Sequence, residues 1–347
     1  MSNSRELIDQ ALEIQAIERI PAIYQYLAGG PAPFNALGLE MEECYYDAVK
    51  FARACVAVRD AYGYDNIMAG WGSIVLEAHA HGTEIRFHHS NKYPQATRPG
   101  LADPSMIEEL EPVDPLSDEL FRVRLEATRI LVDRFGEEYA VMGNMLAPAV
   151  VAWELRGYEA ALMDMFYEKE LAHRYLRIVL ESLRMHGERL REAGADIVFL
   201  EDDFTAGQEY VPLESMIEFD LDYSTSLVGH LKALGHRVLV HNCSRLPLVE
   251  RQIKAMRPHA IHYNAFNVPE HAEMCRRVKG RVCLCPGIDE GLVYEGPPER
   301  IEEAVRRAAN ELRDHDAFMM GAAYEVPFST PRDNHLALVS AIKSLRR

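Results

Sequence analysis

The chain has 347 residues, of which 48% are hydrophobic and 26% are charged, a composition typical of a soluble globular protein. Its formal net charge of −17 repels polyanions, which argues against nucleic acid and acidic membrane surfaces as partners. The first residues lack the apolar core typical of a signal peptide, the sequence contains no run of about 18 apolar residues, and its six cysteines are unevenly spaced. We therefore expect a cytoplasmic protein without a membrane-spanning helix or a disulfide framework.

Short apolar runs alternate with longer helical patterns along the chain. Strands that alternate with helices indicate βαβ units with parallel strands, and eight such units close naturally into a (β/α)8 TIM barrel of the α/β class. The predicted strands are 21–27, 66–71, 139–145, 196–203, 237–243, 260–264, 281–286 and 317–324. Periodicity near 3.6 residues predicts helices that include 118–135, 168–193, 215–234 and 298–312.

The stretch 72–114 differs from the rest of the chain, because it shows no clear period and is interrupted by Pro94, Pro99 and Pro104. We interpret it as an insertion over the barrel mouth. No internal repeat and no linker rich in Pro, Gly or Ser divides the chain. The sequence therefore predicts a single barrel domain over 1–347, with an N-terminal extension.

The segment 238–243 is a hydrophobic strand that ends in His241 and Cys243. Side chains alternate along a strand, so residues two apart point to the same side. An imidazole nitrogen and a thiolate are ligands that zinc prefers in tetrahedral sites. Barrel enzymes carry their active sites at the C-terminal ends of the strands. The pattern therefore predicts a zinc site at His241 and Cys243, although buried cysteines also occur as small apolar residues.

The remaining zinc ligands are left open by the sequence. Cys285 ends a strand two strands later, whereas we assign Cys283 to core packing. Three carboxylates follow one another in Glu201, Asp202 and Asp203, and we expect at least one of them to face the site. Asp202 or Asp203 could instead cap the following helix or turn. The other cysteines are assigned to buried packing, namely Cys44, Cys55 and Cys275.

Together these motifs resemble the uroporphyrinogen decarboxylase superfamily, a (β/α)8 barrel, and in particular its zinc-dependent corrinoid methyltransferase branch. The similarity extends over nearly the whole chain. The segment 238–243 resembles the zinc-binding H-x-C strand of that branch. The other segments that carry the resemblance are 77–82, 194–203, 286–289 and 321–334.

Two departures from the family pattern bear on function. The stretch 20–26 lacks the arginines with which true uroporphyrinogen decarboxylases bind the porphyrinogen carboxylates, so decarboxylation is disfavoured. The thiol-methylating members carry a third zinc-binding cysteine where this chain has Tyr324. The resemblance then implies that Cys285 or a carboxylate such as Glu201 or Asp202 completes the site, or that the metal site is altered.

Aromatic residues gather at the predicted strand ends and loops. Together they suggest an apolar cavity, although each one alone is more readily explained by packing. Asn144, at another strand end, is a further candidate for substrate binding. Arg245 is the main basic residue nearby, which fits an aromatic or neutral substrate. The aromatic candidates are Tyr24, Tyr26, Trp71, Phe204, Tyr263, Phe266 and Tyr324.

The leading functional hypothesis is methyl transfer from a small methylated donor, a methoxylated aromatic, to the cobalt of a separate corrinoid protein. Zinc would act as a Lewis acid on the ether oxygen, and Tyr324 or His262 would donate a proton, with Asp203 as a further catalytic candidate. A partner must supply the corrinoid, because 333–338 lacks the glycine of the D-x-H-x-x-G signature.

Two alternatives remain open at this stage. The first is methyl transfer from a corrinoid protein to a thiol such as coenzyme M. The second belongs to another class, a non-catalytic barrel that binds a small ligand. The predicted partners are thus a small methylated substrate and a corrinoid-binding protein, and a second copy of the chain, forming a homodimer, is a further candidate.

Overall fold

Helices and strands alternate through most of the chain in a computed structural model, which describes residues 2–25, 32–69, 75–88, 92–243, 248–268 and 270–346. The strands are β1 Asn66–Ala69, β2 Glu84–His88, β3 Lys92–Arg98, β4 Ala140–Leu146, β5 Ile197–Asp202, β6 Arg237–Asn242, β7 Ala260–Asn264, β8 Cys283–Ile288 and β9 Gly321–Ala322. The first eight helices are α1 Ser4–Leu12, α2 Ala32–Leu37, α3 Met41–Tyr45, α4 Ala48–Tyr62, α5 Leu76–Ala80, α6 Glu119–Phe135, α7 Pro148–Arg156 and α8 Tyr158–Tyr167. The others are α9 Lys169–Glu192, α10 Leu213–Met216, α11 Asp222–Ala233, α12 Leu248–Met256, α13 His271–Val278, α14 Glu290–Glu295, α15 Pro298–Glu311 and α16 Arg332–Ser344.

Seven of these strands form one parallel sheet in the order β1-β4-β5-β6-β7-β8-β9. The segment 21–24 closes the sheet at its eighth position. The Ile23 amide donates to the Met320 carbonyl at 2.8 Å, and the Asp65 amide donates to the Ala22 carbonyl at 2.8 Å. The curled sheet thus confirms the predicted (β/α)8 barrel. Only the first part of the predicted strand 21–27 lies within the described residues.

Two glycines allow the close approach of chain segments at this seam. A Cβ atom on Gly287 would lie 2.1 Å from the Cα atom of Ala323. A Cβ atom on Gly321 would lie 2.3 Å from the carbonyl oxygen of Ile23. Any side chain at either position would therefore push β8, β9 or the closing segment apart.

The helices cover the outer face of the barrel, so β4, β5, β7 and β8 are buried along their whole length. The helix α6 begins after Asp118, whose side chain accepts a hydrogen bond from the amide of Phe121. The helix α9 buries one stripe that includes Tyr175, Val179 and Leu183. Within the described part of the chain, none of the helices is long and apolar enough to cross a membrane.

The middle of the stretch 72–114 contains the antiparallel pair of strands β2 and β3, which we call the hairpin. The Tyr93 hydroxyl on β3 donates to Glu325 Oε1 at 2.6 Å, which fixes the hairpin against the loop that follows β9. The hairpin therefore forms one wall at the C-terminal end of the barrel. That the chain is a single domain and that 72–114 is an insertion into it both stay predictions.

Candidate metal centre

Four polar side chains stand in one row across neighbouring strands. Glu201 on β5 pairs with His241 on β6, His241 pairs with His262 on β7, and His262 pairs with Cys285 on β8. Residues in register on parallel strands share a face of the sheet. All four are buried, and none is more than 2% exposed. The barrel thus builds a polar row near the C-terminal ends of four adjacent strands.

His241 also belongs to a second group, which we call the mouth cluster. Its other two members, Asp203 and Cys243, lie just beyond the row. The Cys243 thiol donates to Asp203 Oδ1 at 2.9 Å, and the Cys243 sulfur lies 3.0 Å from His241 Nε2. Asp203 Oδ1 is 3.8 Å from the same nitrogen. The three potential ligand atoms all lie within 4.8 Å of one another. Tetrahedral zinc ligands lie roughly 3–4 Å apart, given metal–ligand bonds of about 2.0–2.3 Å.

The backbone of Cys243 is held on two sides. Its amide donates to Thr205 Oγ1 at 2.9 Å, and Thr205 in turn donates to the Asp202 carbonyl at 2.6 Å. The Tyr324 hydroxyl donates to the Cys243 carbonyl at 3.0 Å, and its ring stands edge-on to His241. Tyr324, predicted as a proton donor, therefore contacts the mouth cluster through the backbone of one member and the ring of another.

The electrostatics of the mouth cluster disfavour negative charge unless a cation is present. Burial raises the pKa of Cys243 well above its usual value, and the nearby Asp203 carboxylate raises it further. Burial also raises the pKa of Asp203 and lowers that of His241. A divalent cation reverses this pattern, because it stabilises thiolate, carboxylate and neutral imidazole together.

Glu201 is fully buried beside the mouth cluster. Neither oxygen of its carboxyl group has a hydrogen-bond partner among the described residues. Burial raises its pKa well above the usual value, and the charge of Asp203 adds to this effect. A buried carboxyl group without partners costs free energy unless something neutralises it. Glu201 thus fits the sequence prediction of a carboxylate that faces the site.

Asp202 does not face the site, because side chains alternate along β5 and the preceding Glu201 points inward. Its carboxylate accepts from Gln252 Nε2 at 2.5 Å and lies beside the carboxyl group of Asp220. Gln252 itself accepts a hydrogen bond from Asn242. The structure therefore places Asp202, predicted as a metal ligand, in a buried network behind the mouth cluster.

Cys285 lies at the far end of the polar row, with His262 between it and His241. It does not belong to the group of ligand atoms found within 4.8 Å of one another in the described part of the chain. Burial raises the pKa of its thiol well above the usual value. The sequence predicted Cys285 as a metal ligand, and the structure instead places it in the barrel core.

Two predicted substrate contacts lie away from the barrel mouth. Tyr263 points outward, because it follows the inward-facing His262 on the same strand. Its hydroxyl forms a hydrogen bond of 2.8 Å with Nε2 of His271 on α13. The ring of Phe266 packs against the guanidinium of Arg307, whose Cζ atom lies 4.6 Å from the centroid of the ring. Neither residue is therefore placed to form a wall of the proposed site.

The other residues predicted to contact the substrate are either buried in the fold or lie outside the described residues. Tyr24 is 4% exposed, and its hydroxyl accepts from the Met68 amide at 3.1 Å, so it packs within the fold. Asn144 is buried one layer below Glu201, in register with Phe199. Phe204 is also buried, and it packs edge-on against Trp153. The candidates Tyr26 and Trp71 lie outside the described residues.

A cavity of about 850 Å³ opens above the mouth cluster, and Asp203 lines it. Sequence reasoning missed most of its walls, because they belong to the hairpin and to helices rather than to strand ends. The Tyr158 hydroxyl donates to Glu154 within these walls. Lining side chains that the sequence did not single out are Tyr93, Trp153, Glu154, Tyr158 and Phe328.

His262, predicted as a proton donor, lies behind His241. Its Nδ1 atom lies 2.8 Å from His241 Nδ1, and its Nε2 atom lies 2.9 Å from the Ala322 carbonyl oxygen. Burial lowers its pKa to about 4. The imidazole is therefore neutral near pH 7 with both nitrogens in hydrogen bonds, which gives no support to the predicted role.

The comparisons with known proteins agree with the fold. A family model described as "Uroporphyrinogen decarboxylase (URO-D)" matches residues 3–345, so the chain belongs to this family. The methylcobamide:CoM methyltransferase MtbA of Methanosarcina mazei is 22% identical over 352 residues, covering 99% of this chain and 98% of that protein. Its namesake in Methanosarcina acetivorans is 24% identical over 345 residues, with 99% and 98% covered. The solved structure of a methyltransferase from Methanosarcina mazei has a TM-score of 0.87 at 18% identity and 99% coverage of both chains.

These relatives confirm the predicted family and the predicted class of enzyme, a methyltransferase of the corrinoid branch. By name they act on methylcobamide and CoM, which favours the thiol alternative over the leading hypothesis of a methoxylated aromatic donor. Neither of them supports O-demethylation. The structural likeness at 18% identity bears on the fold alone.

Proposed function

We propose that this protein is a zinc-dependent methyltransferase that moves a methyl group from a methylated corrinoid protein to a small thiol. The observation that carries the proposal is the convergence of a thiol, an imidazole and a carboxylate below a large cavity at the barrel mouth. The names of the relatives reported above support this direction of transfer. The corrinoid would arrive on a partner protein.

The residues of the site fit zinc on two counts. The donor set of His241, Cys243 and Asp203 offers nitrogen, sulfur and oxygen, all of which zinc accepts. Glu201 adds a buried carboxyl group that lacks a hydrogen-bond partner in the described structure, and a cation would satisfy it. We propose His241, Cys243 and Asp203 as ligands and Glu201 as the next candidate. Zinc, when bound, supplies Lewis acidity that lowers the pKa of a thiol.

The proposed reaction forms one carbon–sulfur bond and breaks one carbon–cobalt bond. The thiol sulfur attacks the methyl carbon, both electrons of the carbon–cobalt bond stay on the cobalt as Co(I), and the thiol proton is released. The chain's own contribution is to hold the thiol above the mouth cluster and to limit the access of water. The aromatic walls at Tyr93, Trp153 and Tyr158 would exclude water from the reacting sulfur.

An assay with purified, zinc-loaded protein and methylcobalamin under anaerobic conditions tests this proposal. Three thiols share a two-carbon chain and carry an anionic, a neutral and a cationic tail: 2-mercaptoethanesulfonate, 2-mercaptoethanol and 2-aminoethanethiol. We expect zinc-dependent formation of the thioether and of cob(I)alamin with at least one of them. A parallel assay supplies cob(I)alamin with methoxyarenes. Demethylation of a methoxyarene without methylation of any thiol would contradict the proposal and restore the aromatic donor.

A further inference from the structure

The imidazole of His262 connects His241 on β6 to the backbone of Ala322 on β9. His262 Nδ1 lies 2.8 Å from His241 Nδ1, and His262 Nε2 lies 2.9 Å from the carbonyl oxygen of Ala322. The two rings are 1–2% exposed, so water does not compete for these contacts. The ring of Phe199 packs against both imidazoles and restrains their orientation.

The directions of these hydrogen bonds assign one proton to each ring. A carbonyl oxygen only accepts, so His262 Nε2 carries a proton and donates it to Ala322. In the neutral imidazole, His262 Nδ1 then has a lone pair and accepts from His241 Nδ1. His241 Nε2 is left without a proton. This nitrogen is the one that lies 3.0 Å from the sulfur of Cys243.

We propose that His262 is a positioning residue that fixes His241 in the tautomer able to bind a metal through Nε2. The inference rests on the proposed metal site. In a zinc site, the second nitrogen of a histidine ligand usually donates to a carboxylate, carbonyl or water, and this contact sets the ring's orientation and tautomer. Here a neutral histidine takes that place, and the carbonyl of Ala322 sets the tautomer of His262.

Two substitutions separate the hydrogen bond from the volume of the side chain. His262→Leu keeps a side chain of similar size but removes both ring nitrogens, so His241 Nδ1 loses its acceptor. His262→Asn retains a carbonyl oxygen near the position of Nδ1, so it can still accept the proton of His241. His236 provides a matched control, because it is also 2% exposed and bonds to a backbone carbonyl, that of Gly187, at 2.9 Å.

The decisive readouts are the zinc dissociation constant, measured by competition with a chelator, and the visible absorption spectrum of the cobalt(II)-substituted protein. We expect His262→Leu to bind zinc about 10–100-fold more weakly and to change the cobalt spectrum. His262→Asn should stay close to the wild type in both readouts, as should His236→Leu. Thermal unfolding of each variant checks that the barrel is folded.

Two results with the variants would overturn this inference and leave the metal site intact. In the first, His262→Leu binds zinc as tightly as the wild type. In the second, His262→Asn is as weak as His262→Leu, which would mean that the imidazole acts through its shape. A wild-type protein without stoichiometric zinc binding would overturn the metal site together with the inference. A zinc-binding wild type that methylates none of the three thiols would instead overturn only the proposed reaction.

Discussion

Two regions in the described part of the chain each combine a cysteine, a histidine and a carboxylate, and of these two only one is arranged to bind a metal. In the mouth cluster, the ligand atoms of all three residues lie within 4.8 Å of one another. The side chain of Asp203 is 33% exposed and lines the cavity, so a ligand in the cavity can reach this cluster. The members of the mouth cluster are Asp203, His241 and Cys243.

The second region, which we call the helix cluster, consists of His271, Cys275 and Glu311 on the outer side of β7. His271 Nδ1 lies 2.5 Å from Glu311, and His271 Nε2 lies 2.8 Å from the Tyr263 hydroxyl and 3.4 Å from the sulfur of Cys275. The imidazole therefore separates the carboxylate from the thiol. The comparison teaches that a metal site depends on lone pairs that converge on one point, and residue types alone do not provide this.

Replacing the cysteine of each cluster by alanine should give the largest difference in zinc binding between the two clusters. Cys243→Ala should weaken zinc binding about 100-fold or more and abolish methyl transfer, because it removes the only thiolate of the proposed ligand set. Cys275→Ala should keep its zinc and lose only about 1–2 kcal/mol of unfolding free energy from core packing. Metal analysis and chemical denaturation measure the two effects. Full zinc occupancy in Cys243→Ala would refute the assignment.

The carboxylates offer a second matched pair. Glu201→Gln should weaken zinc binding about 10-fold or more, because a neutral amide replaces the buried carboxylate. The metal-free variant should be at least as stable as the wild type, since the amide carries no charge that burial must desolvate. Glu311→Gln should leave zinc affinity unchanged. Chelator competition and denaturation distinguish these outcomes, and a Glu201→Gln protein with wild-type zinc affinity would remove Glu201 from the ligand set.

A buried acid pair lies behind the mouth cluster, and it predicts how stability changes with pH. Burial raises the pKa of Asp220 to about 7, and burial next to Asp220 also raises the pKa of Asp202. The folded chain then binds more protons than the unfolded chain between roughly pH 4 and pH 7, so the free energy of unfolding falls as the pH rises through this window.

Asp220→Asn should flatten this dependence by on the order of 1 kcal/mol or more, because the amide keeps hydrogen-bonding capacity without titrating. The measurement is urea denaturation of metal-free protein at pH 4.5 and pH 7.5, with the wild type as the control. Equal pH dependence in both proteins would contradict the assignment of this dependence to the buried pair.

The smallest expected effect concerns Cys285. Cys285→Ala should keep zinc affinity within about twofold of the wild type and cost about 1 kcal/mol of stability, as expected for a small change in the core. Zinc titration and denaturation of the variant measure both quantities. A large loss of zinc would show that Cys285 is a ligand and that His262 does not separate it from the metal.

The sequence was sufficient to predict the barrel and the pairing of His241 with Cys243, because both follow from local patterns: alternation along a strand and the regular succession of strands and helices. The roles of the three carboxylates could not be predicted. They depend on where β5 ends, since Asp202 is its last residue and Asp203 begins the following 3-10 helix. The position of Tyr263 could have been predicted, because an inward-facing His262 requires an outward-facing neighbour.

The row from Glu201 to Cys285 depends on strand register, which no local pattern contains. The cavity walls were missed for a related reason. Trp153, Glu154 and Tyr158 lie on α7 and α8, and their approach to the mouth depends on how these helices pack over the barrel. Side chains at strand ends can be listed from a sequence, but those that helices and a hairpin bring to the same place depend on tertiary packing.

X-ray absorption at the zinc edge of the zinc-loaded protein tests the central claim most directly, because it counts the sulfur ligands of the metal. We predict one sulfur at about 2.3 Å, from Cys243, with the remaining ligands being nitrogen and oxygen at about 2.0–2.2 Å. A shell with two sulfurs would bring Cys285 into the site, and a shell without sulfur would place the metal elsewhere. Either result would contradict the mouth cluster as the metal centre described here.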